Sequence, residues 1–295
     1  MERSDRLMQG MALNGGFRIL GAQTTQTVEE ARSILDLSPV AADALGRTMT
    51  AAILLARLLE KSVRQQRVTL RFEGNGPLGV VIGEGTVQGH ARGYVSNPRP
   101  EGENLDVSHA VGDSGILTVV RGTPPEGRPY TSQVALEGGG VAKEVSRYLV
   151  QSEQIASAVM LGVLNRRSGV AAAGGIVVQA FPHTSDEAIA LVETRIQEAP
   201  PLSTLLDRMS IEDAVRTVFD GLDYKPVDPS FNVPLSYRCS CSRERALAPL
   251  ALFEPGELEE MIREDGGTEV VCQFCGRKYN FSAEELLTLT AVHDA

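Results

Sequence analysis

No thiol occurs in the first 238 residues of this 295-residue chain; all four cysteines lie in what remains. Positive charge is also scarce. The chain carries 28 Lys and Arg against 38 Asp and Glu, for a net charge of −10 and a pI near 5.0. Such a chain repels phosphate backbones, so no nucleic-acid partner is expected. The last part keeps the bias, with twelve acidic and six basic residues from Asp228 onward. Long apolar runs are missing as well. The most apolar helix-length stretch, Val40 to Leu59, holds Asp43, Arg47 and Arg57 and cannot span a bilayer. The opening Met1 to Arg6 is polar and is followed by no apolar leader segment. A cytoplasmic location without a membrane partner is expected. The four histidines (His90, His109, His183, His293) are scattered, with no metal spacing and no Gly-x-Ser-x-Gly elbow nearby. With no catalytic constellation in sight, a non-enzymatic role is expected.

What is present suits a folded protein of one large or two modest domains, with 42% hydrophobic and 22% charged residues. Apolar positions at helical spacing predict a helix over Val28 to Leu37 and a core helix over Val40 to Glu60, separated by Ser38-Pro39. From Arg67 the period drops to two, as Val68, Leu70 and Phe72 alternate with polar neighbours. Further strands are expected over Gly79 to Gly83, Val87 to Val95, Ile116 to Val120 and Tyr130 to Leu136. An amphipathic helix over Val141 to Ser152 and a strand pair, Ala158 to Asn165 and Val170 to Phe181, complete this part. Helices flanking hairpin-connected strands indicate an α+β fold.

The expected organisation is an N-terminal α+β domain with a mixed sheet and flanking helices over residues 1–182, a helical linker over 183–231 and a small C-terminal domain over 232–295. In the linker, Asp186 to Ala199 and Leu202 to Leu222 have helical periodicity, and Pro200-Pro201 separates them. The second carries an apolar face of Leu205, Leu206, Met209, Val215, Val218, Phe219 and Leu222. Two readings suit these helices: a packed extension of the first domain, or a linker whose apolar face is covered only conditionally.

Gly74-Asn-Gly-Pro-Leu-Gly79 has G-x-G-x-x-G spacing, but Gly79 opens the β-type run Val80 to Ile82 rather than a helix, so a hairpin turn is expected. The cysteines carry the chemistry. Cys239-Ser-Cys241 and Cys272-Gln-Phe-Cys275 are separated by thirty residues, and thiolates gathered this way match the tetrahedral, sulfur-preferring coordination of zinc. Val270-Val271 before the second pair and Tyr279, Phe281 after it predict the two strands of a hairpin. A thioredoxin-type motif would instead start a helix at Cys272. Cys-x-Cys is an unusual half-site, because residues two apart must turn tightly to present both sulfurs. Oxidised, such a pair closes a strained ring that is readily reduced, which suits a reversible switch better than a staple. Zinc would keep the sulfurs as thiolates, the form oxidants attack.

These motifs resemble a known family, the redox-regulated bacterial heat-shock holdase often called the thirty-three-kilodalton chaperonin. The resemblance rests on Cys239-Ser-Cys241-Ser-Arg-Glu-Arg245, the thirty-residue spacer and Cys272-Gln-Phe-Cys275-Gly-Arg-Lys-Tyr279. Upstream it includes Glu73 to Pro77, Arg92 to Pro98, Ser132-Gln-Val134 and Ser152-Glu-Gln-Ile155, in order along nearly the whole chain. Ala156 stands where relatives commonly carry proline. The resemblance implies a cytosolic, ATP-independent chaperone that holds unfolding client proteins under oxidative and heat stress. It implies one Zn²⁺ per chain on Cys239, Cys241, Cys272 and Cys275 in the reduced, inactive form. Oxidation to Cys239–Cys241 and Cys272–Cys275 disulfides would then release the metal, unfold the small domain and the linker, and give an active homodimer. The linker's apolar face becomes the expected client-binding surface. The alternatives are a static zinc ribbon that binds nucleic acid or a protein partner, and a thiol–disulfide oxidoreductase.

Overall fold

The computed structural model describes residues 4–59, 66–102, 105–122, 129–227 and 232–293, and it divides into two compact units, Met1–Arg238 and Cys239–Ala295. The fold is α+β. In the first unit the elements run β1 (Arg6–Ala12), β2 (Phe17–Gln23), α1 (Thr25–Ile34), α2 (Pro39–Leu58), β3 (Arg67–Gly74), β4 (Val80–Thr86), β5 (His90–Val95) and α3 (Val107–Val111). They continue as β6 (Gly115–Gly122), β7 (Tyr130–Ala135), α4 (Gly140–Glu153), β8 (Ser157–Arg166), β9 (Gly169–Ala180) and α5 (Asp186–Glu198). Last come α6 (Leu202–Arg208), α7 (Ile211–Val218) and three two-residue strands, β10 (Lys225–Pro226), β11 (Val233–Pro234) and β12 (Ser236–Tyr237).

Two six-stranded sheets result. One has the order β10-β1-β2-β9-β8 with β11 also on β1; the other has β12-β5-β4-β3-β6-β7. Nearly every pairing is antiparallel, the exception being β12 on β5. The main core fills the space around α2, with Leu45, Met49, Ile53 and Leu54 against Leu70, Phe72 and Val81. Ser38 caps α2 by accepting from the Ala41 N–H, and Pro39 sits in its first turn, as the sequence predicts. The glycine-rich 74–79 segment is the β3–β4 turn, with Gly79 at φ +65°.

α1 starts earlier than its apolar spacing suggests. The Asp5 carboxylate accepts from the N–H groups of Gln26 and Thr27 at 3.1 and 2.6 Å and so caps the helix from outside it. Leu202 to Leu222 forms two helices rather than one. Met209 is extended, and Ser210 Oγ accepts from the Asp213 N–H at 3.2 Å, starting α7 afresh.

Those helices lie on the outer face of the first sheet. A second core joins Met8, Ala12, Ile19, Ala172, Ile176 and Val178 from the strands to Leu205, Leu206, Val215, Val218, Phe219 and Leu222. Met209 is half-buried at its margin. Glycine permits the close approach: a Cβ on Gly174 would stand 2.4 Å from Leu206 Cδ1, and one on Gly21 would stand 2.9 Å from Ile211 Cγ1. Arg6 on β1 donates to both carboxylate oxygens of Glu212 at 2.7 and 2.6 Å, tying α7 to the same edge. Tyr224 lies over Gly10, and its hydroxyl is buried with no hydrogen-bond partner among the described residues. Burial pushes that phenol up to about 12.

The second unit comprises α8 (Arg243–Leu247), a 3₁₀ turn (Ala248–Leu252), α9 (Pro255–Asp265), β13 (Gly267–Val271), β14 (Lys278–Ser282) and α10 (Ala283–His293). Its core is small. Among the described residues, only Leu250, Leu258, Phe281 and Leu286 are fully buried apolar side chains there.

Candidate metal centre

The four cysteines converge from two arms of the second unit. Cys239 and Cys241 precede α8, whose N-terminus Ser242 caps by accepting from the Arg245 N–H. Arg245 reaches back and donates to Ser240 Oγ and the Ser240 carbonyl at 3.0 and 2.9 Å. That clamp folds the Cys-x-Cys segment into the tight turn it needs. Cys272 and Cys275 occupy the β13–β14 connection, where Val271 pairs with Lys278. The Cys272 N–H donates to the Arg277 carbonyl, and the Gly276 N–H donates to the Cys272 carbonyl at 2.8 Å. Gly276 takes φ +67°, a left-handed position that suits glycine. No helix begins at Cys272, which removes the main support for a thioredoxin-type reading.

All four Sγ atoms lie within 4.8 Å of one another. Two close approaches run across the arms: Cys239 to Cys272 at 3.6 Å and Cys241 to Cys275 at 3.4 Å. Four sulfurs at such separations match the donor set of a soft, tetrahedral dication. Their acid–base balance agrees. Burial alone would raise the Cys241 thiol, but hydrogen bonds from Tyr279 and the neighbouring thiols outweigh it and bring it down to about 7. Burial raises Cys239, and burial together with its cysteine neighbours pushes Cys275 up to about 12. Cys241 is thus the more easily ionised sulfur, while Cys239 and Cys275 resist ionisation. Holding the cluster as several thiolates requires a positive ion at its centre.

Two side chains gain roles here that spacing alone does not give them. The Tyr279 hydroxyl donates to Cys241 Sγ at 3.1 Å from β14. Arg243 lies over the Phe281 ring at 4.5 Å and bridges the Asn280 carbonyl and the Glu285 carboxylate, joining α8, β14 and α10. Both lie within or beside the motifs around the cysteines, but only the folded hairpin turns Tyr279 toward a sulfur. The seven apolar linker residues lie elsewhere, in the second core of the first unit.

Comparison with known proteins fits this geometry. A family profile described as Hsp33 protein matches residues 5–282. The chain belongs to the Hsp33 family. Among its relatives, a 33 kDa chaperonin of Thermus thermophilus is 44% identical over 97% of this chain and 86% of its own length. The 33 kDa chaperonin of Deinococcus radiodurans is 40% identical over 96% of this chain and 97% of its own. The crystal structure of the Hsp33 homologue from Thermotoga maritima superimposes with a TM-score of 0.86 at 33% identity, covering 99% of each chain. An Hsp33 protein is a chaperone, not an enzyme, and it binds unfolded client proteins. No helix among the described residues is long and apolar enough to cross a membrane.

Proposed function

We propose that this chain is a redox-regulated, ATP-independent holdase, zinc-bound and inactive when reduced and switched on by oxidation. Cys239, Cys241, Cys272 and Cys275 hold one Zn²⁺ per chain, which supplies the charge that keeps the sulfurs as thiolates. Peroxide accepts two electrons from each pair and is reduced to water, while sulfur–sulfur bonds form within Cys239–Cys241 and Cys272–Cys275. No thiolate donor then remains for the ion.

The observation that carries this reading is the meagre core of the second unit. Four fully buried apolar side chains cannot stabilise so short a segment unaided, whereas a structural Cys₄ zinc site contributes about 10–16 kcal/mol. Losing the ion therefore unfolds Cys239–Ala295, the bulk of the 232–295 switch domain. Residues 183–231 act as a metastable linker that follows, baring Leu205, Leu206, Met209, Val215, Val218, Phe219 and Leu222 and the sheet face beneath them to clients. Residues 1–182 remain as the folded platform. The resemblance to Hsp33 supports an oxidised homodimer working in the cytoplasm, and the acidic charge speaks against a nucleic-acid partner. The test is light scattering from a heat-denaturing client. Peroxide-treated protein should suppress it and the reduced, zinc-loaded form should not; equal suppression by both sinks the switch.

A further inference from the structure

β1 lies at the margin of its sheet, and among the described residues its outer edge is closed only by short pieces of the chain's own later segment. Along this edge the Asp5 and Gln9 carbonyls accept from the Leu235 and Val227 N–H groups at 3.1 and 2.9 Å, and the Leu13 N–H donates to the Leu222 carbonyl at 2.9 Å. Odd-numbered residues therefore turn their main-chain groups outward, while the even-numbered ones face β2.

This cover is held in two short pieces. Pro226 stands opposite Gly10 and Pro234 opposite Arg6, so β10 and β11 hold β1 in two different registers. Both prolines oppose even-numbered residues, so the N–H that each lacks would have pointed away from β1, toward any further strand. The protection of the sheet margin thus resides in the cover. β1 itself, Arg6-Leu-Met-Gln-Gly-Met-Ala12, has no proline, and its pairing with β2 is regular over all seven residues. An edge strand without proline, bulge or cover is a template for another extended chain.

We propose that the outer edge of β1 is a strand-addition site that takes an extended segment of an unfolded client polypeptide once residues 222–227 and 233–235 have left it. The proposal rests on the linker release described above. Main-chain hydrogen bonds from Leu7, Gln9, Met11 and Leu13 supply affinity without demanding a sequence. Met8, Ala12 and Ile19, bared on the adjoining face when α7 leaves, favour alternating apolar side chains in the incoming strand. An unfolded chain is the fitting occupant because it carries unpaired main-chain groups over the whole length of the edge, whereas a second folded copy offers only its own β1.

Hydrogen–deuterium exchange on the full oxidised chain tests this, with reduced, carboxymethylated α-lactalbumin as the unfolded client. The amides of Leu7, Gln9, Met11 and Leu13 should exchange readily after oxidation and slow by about tenfold or more when the client binds. A Gln9→Pro/Met11→Pro variant removes two outward N–H groups while sparing the β2 ladder. It should lose thiols and metal to peroxide as the parent does, yet capture client about tenfold more weakly. Client binding without protection of these amides overturns the site. So does concentration-dependent protection without client, which would mark the edge as a self-association surface. Persistent protection of Val227 and Leu235 after oxidation removes the release itself, and the strand site with it.

Discussion

The Tyr279 hydroxyl donates a hydrogen bond to Cys241 Sγ at 3.1 Å, making one of the four sulfurs poorer in electrons than its neighbours. The same bond raises the pKa of Tyr279. An oxidant must attack a sulfur lone pair, and this one is partly engaged. In the zinc-loaded protein, where the ion rather than the hydrogen bond would keep Cys241 ionised, Tyr279→Phe should hasten thiol loss and metal release under peroxide by roughly fivefold, the equivalent of one ordinary hydrogen bond. Parallel time courses of free-thiol titration and a zinc-sensitive dye would show it. Unchanged rates would mean that Tyr279 serves packing alone.

In the cluster two short sulfur–sulfur approaches join opposite arms, Cys239 with Cys272 and Cys241 with Cys275. Cross-arm disulfides would stitch the small unit together, whereas bonds within each pair let its arms part. Peptide mapping after peroxide and heat should recover Cys239–Cys241 and Cys272–Cys275. Recovery of Cys239–Cys272 as the main product would leave the unit locked and the proposed opening without a cause.

Chelation should act on the second unit first. Stripping the metal from reduced protein is expected to remove the helical circular-dichroism signal of α8, α9 and α10 while the sheets of the first unit persist. Intact near-native helicity in the stripped protein would show that the four-residue core suffices.

Phe219 is 1% exposed and sits in the core between the linker helices and the sheet. Phe219→Ala removes about 3–5 kcal/mol of packing, enough to loosen a marginally held segment. The reduced variant should bind an apolar dye and slow client aggregation without oxidant. A variant as silent as the parent would argue that this face does not govern client access.

Burial alone would raise the Glu212 carboxyl, but the paired hydrogen bonds from Arg6 outweigh it and hold it below its ordinary value of 4.5. A carboxylate depressed in the folded state adds stability above its unfolded pKa and loses it as pH falls through the folded one. Docking of α7 should therefore weaken below a pH of about 4.5. Glu212→Gln should remove that part of the acid response, read as the difference in dye binding between the two proteins across an acid titration.

The sequence made the cysteine cluster and its hairpin legible because cysteine spacing and strand periodicity are both local. α2 was legible for the same reason, with Ser38 and Pro39 marking its start. β1 and β2 were not. Almost every residue of β2 is buried, because helices cover that sheet on one face and the α2 core on the other, so the alternation that betrays a half-exposed strand is missing. The start of α1 depends on Asp5, more than twenty positions from the N–H groups it caps, and no local window contains that fact. The break at Met209 was written locally in Ser210 and Asp213, but the unbroken apolar stripe hid it. α9 also carried its own marks, Glu254, Pro255 and Glu257, inside a segment whose cysteines drew the attention.

Tyr224 gives the resting protein a threshold. Its ring lies over Gly10, yet its buried hydroxyl finds no partner among the described residues, an expense of about 1–3 kcal/mol borne only while the segment is docked. Removing that one oxygen, as in Tyr224→Phe, should leave the thiols as sensitive as before but make the oxidised protein slower to engage clients and quicker to let them go. How much stress a cell must suffer before this chaperone commits would then be set, in part, by a single atom in the unit that holds none of the cysteines.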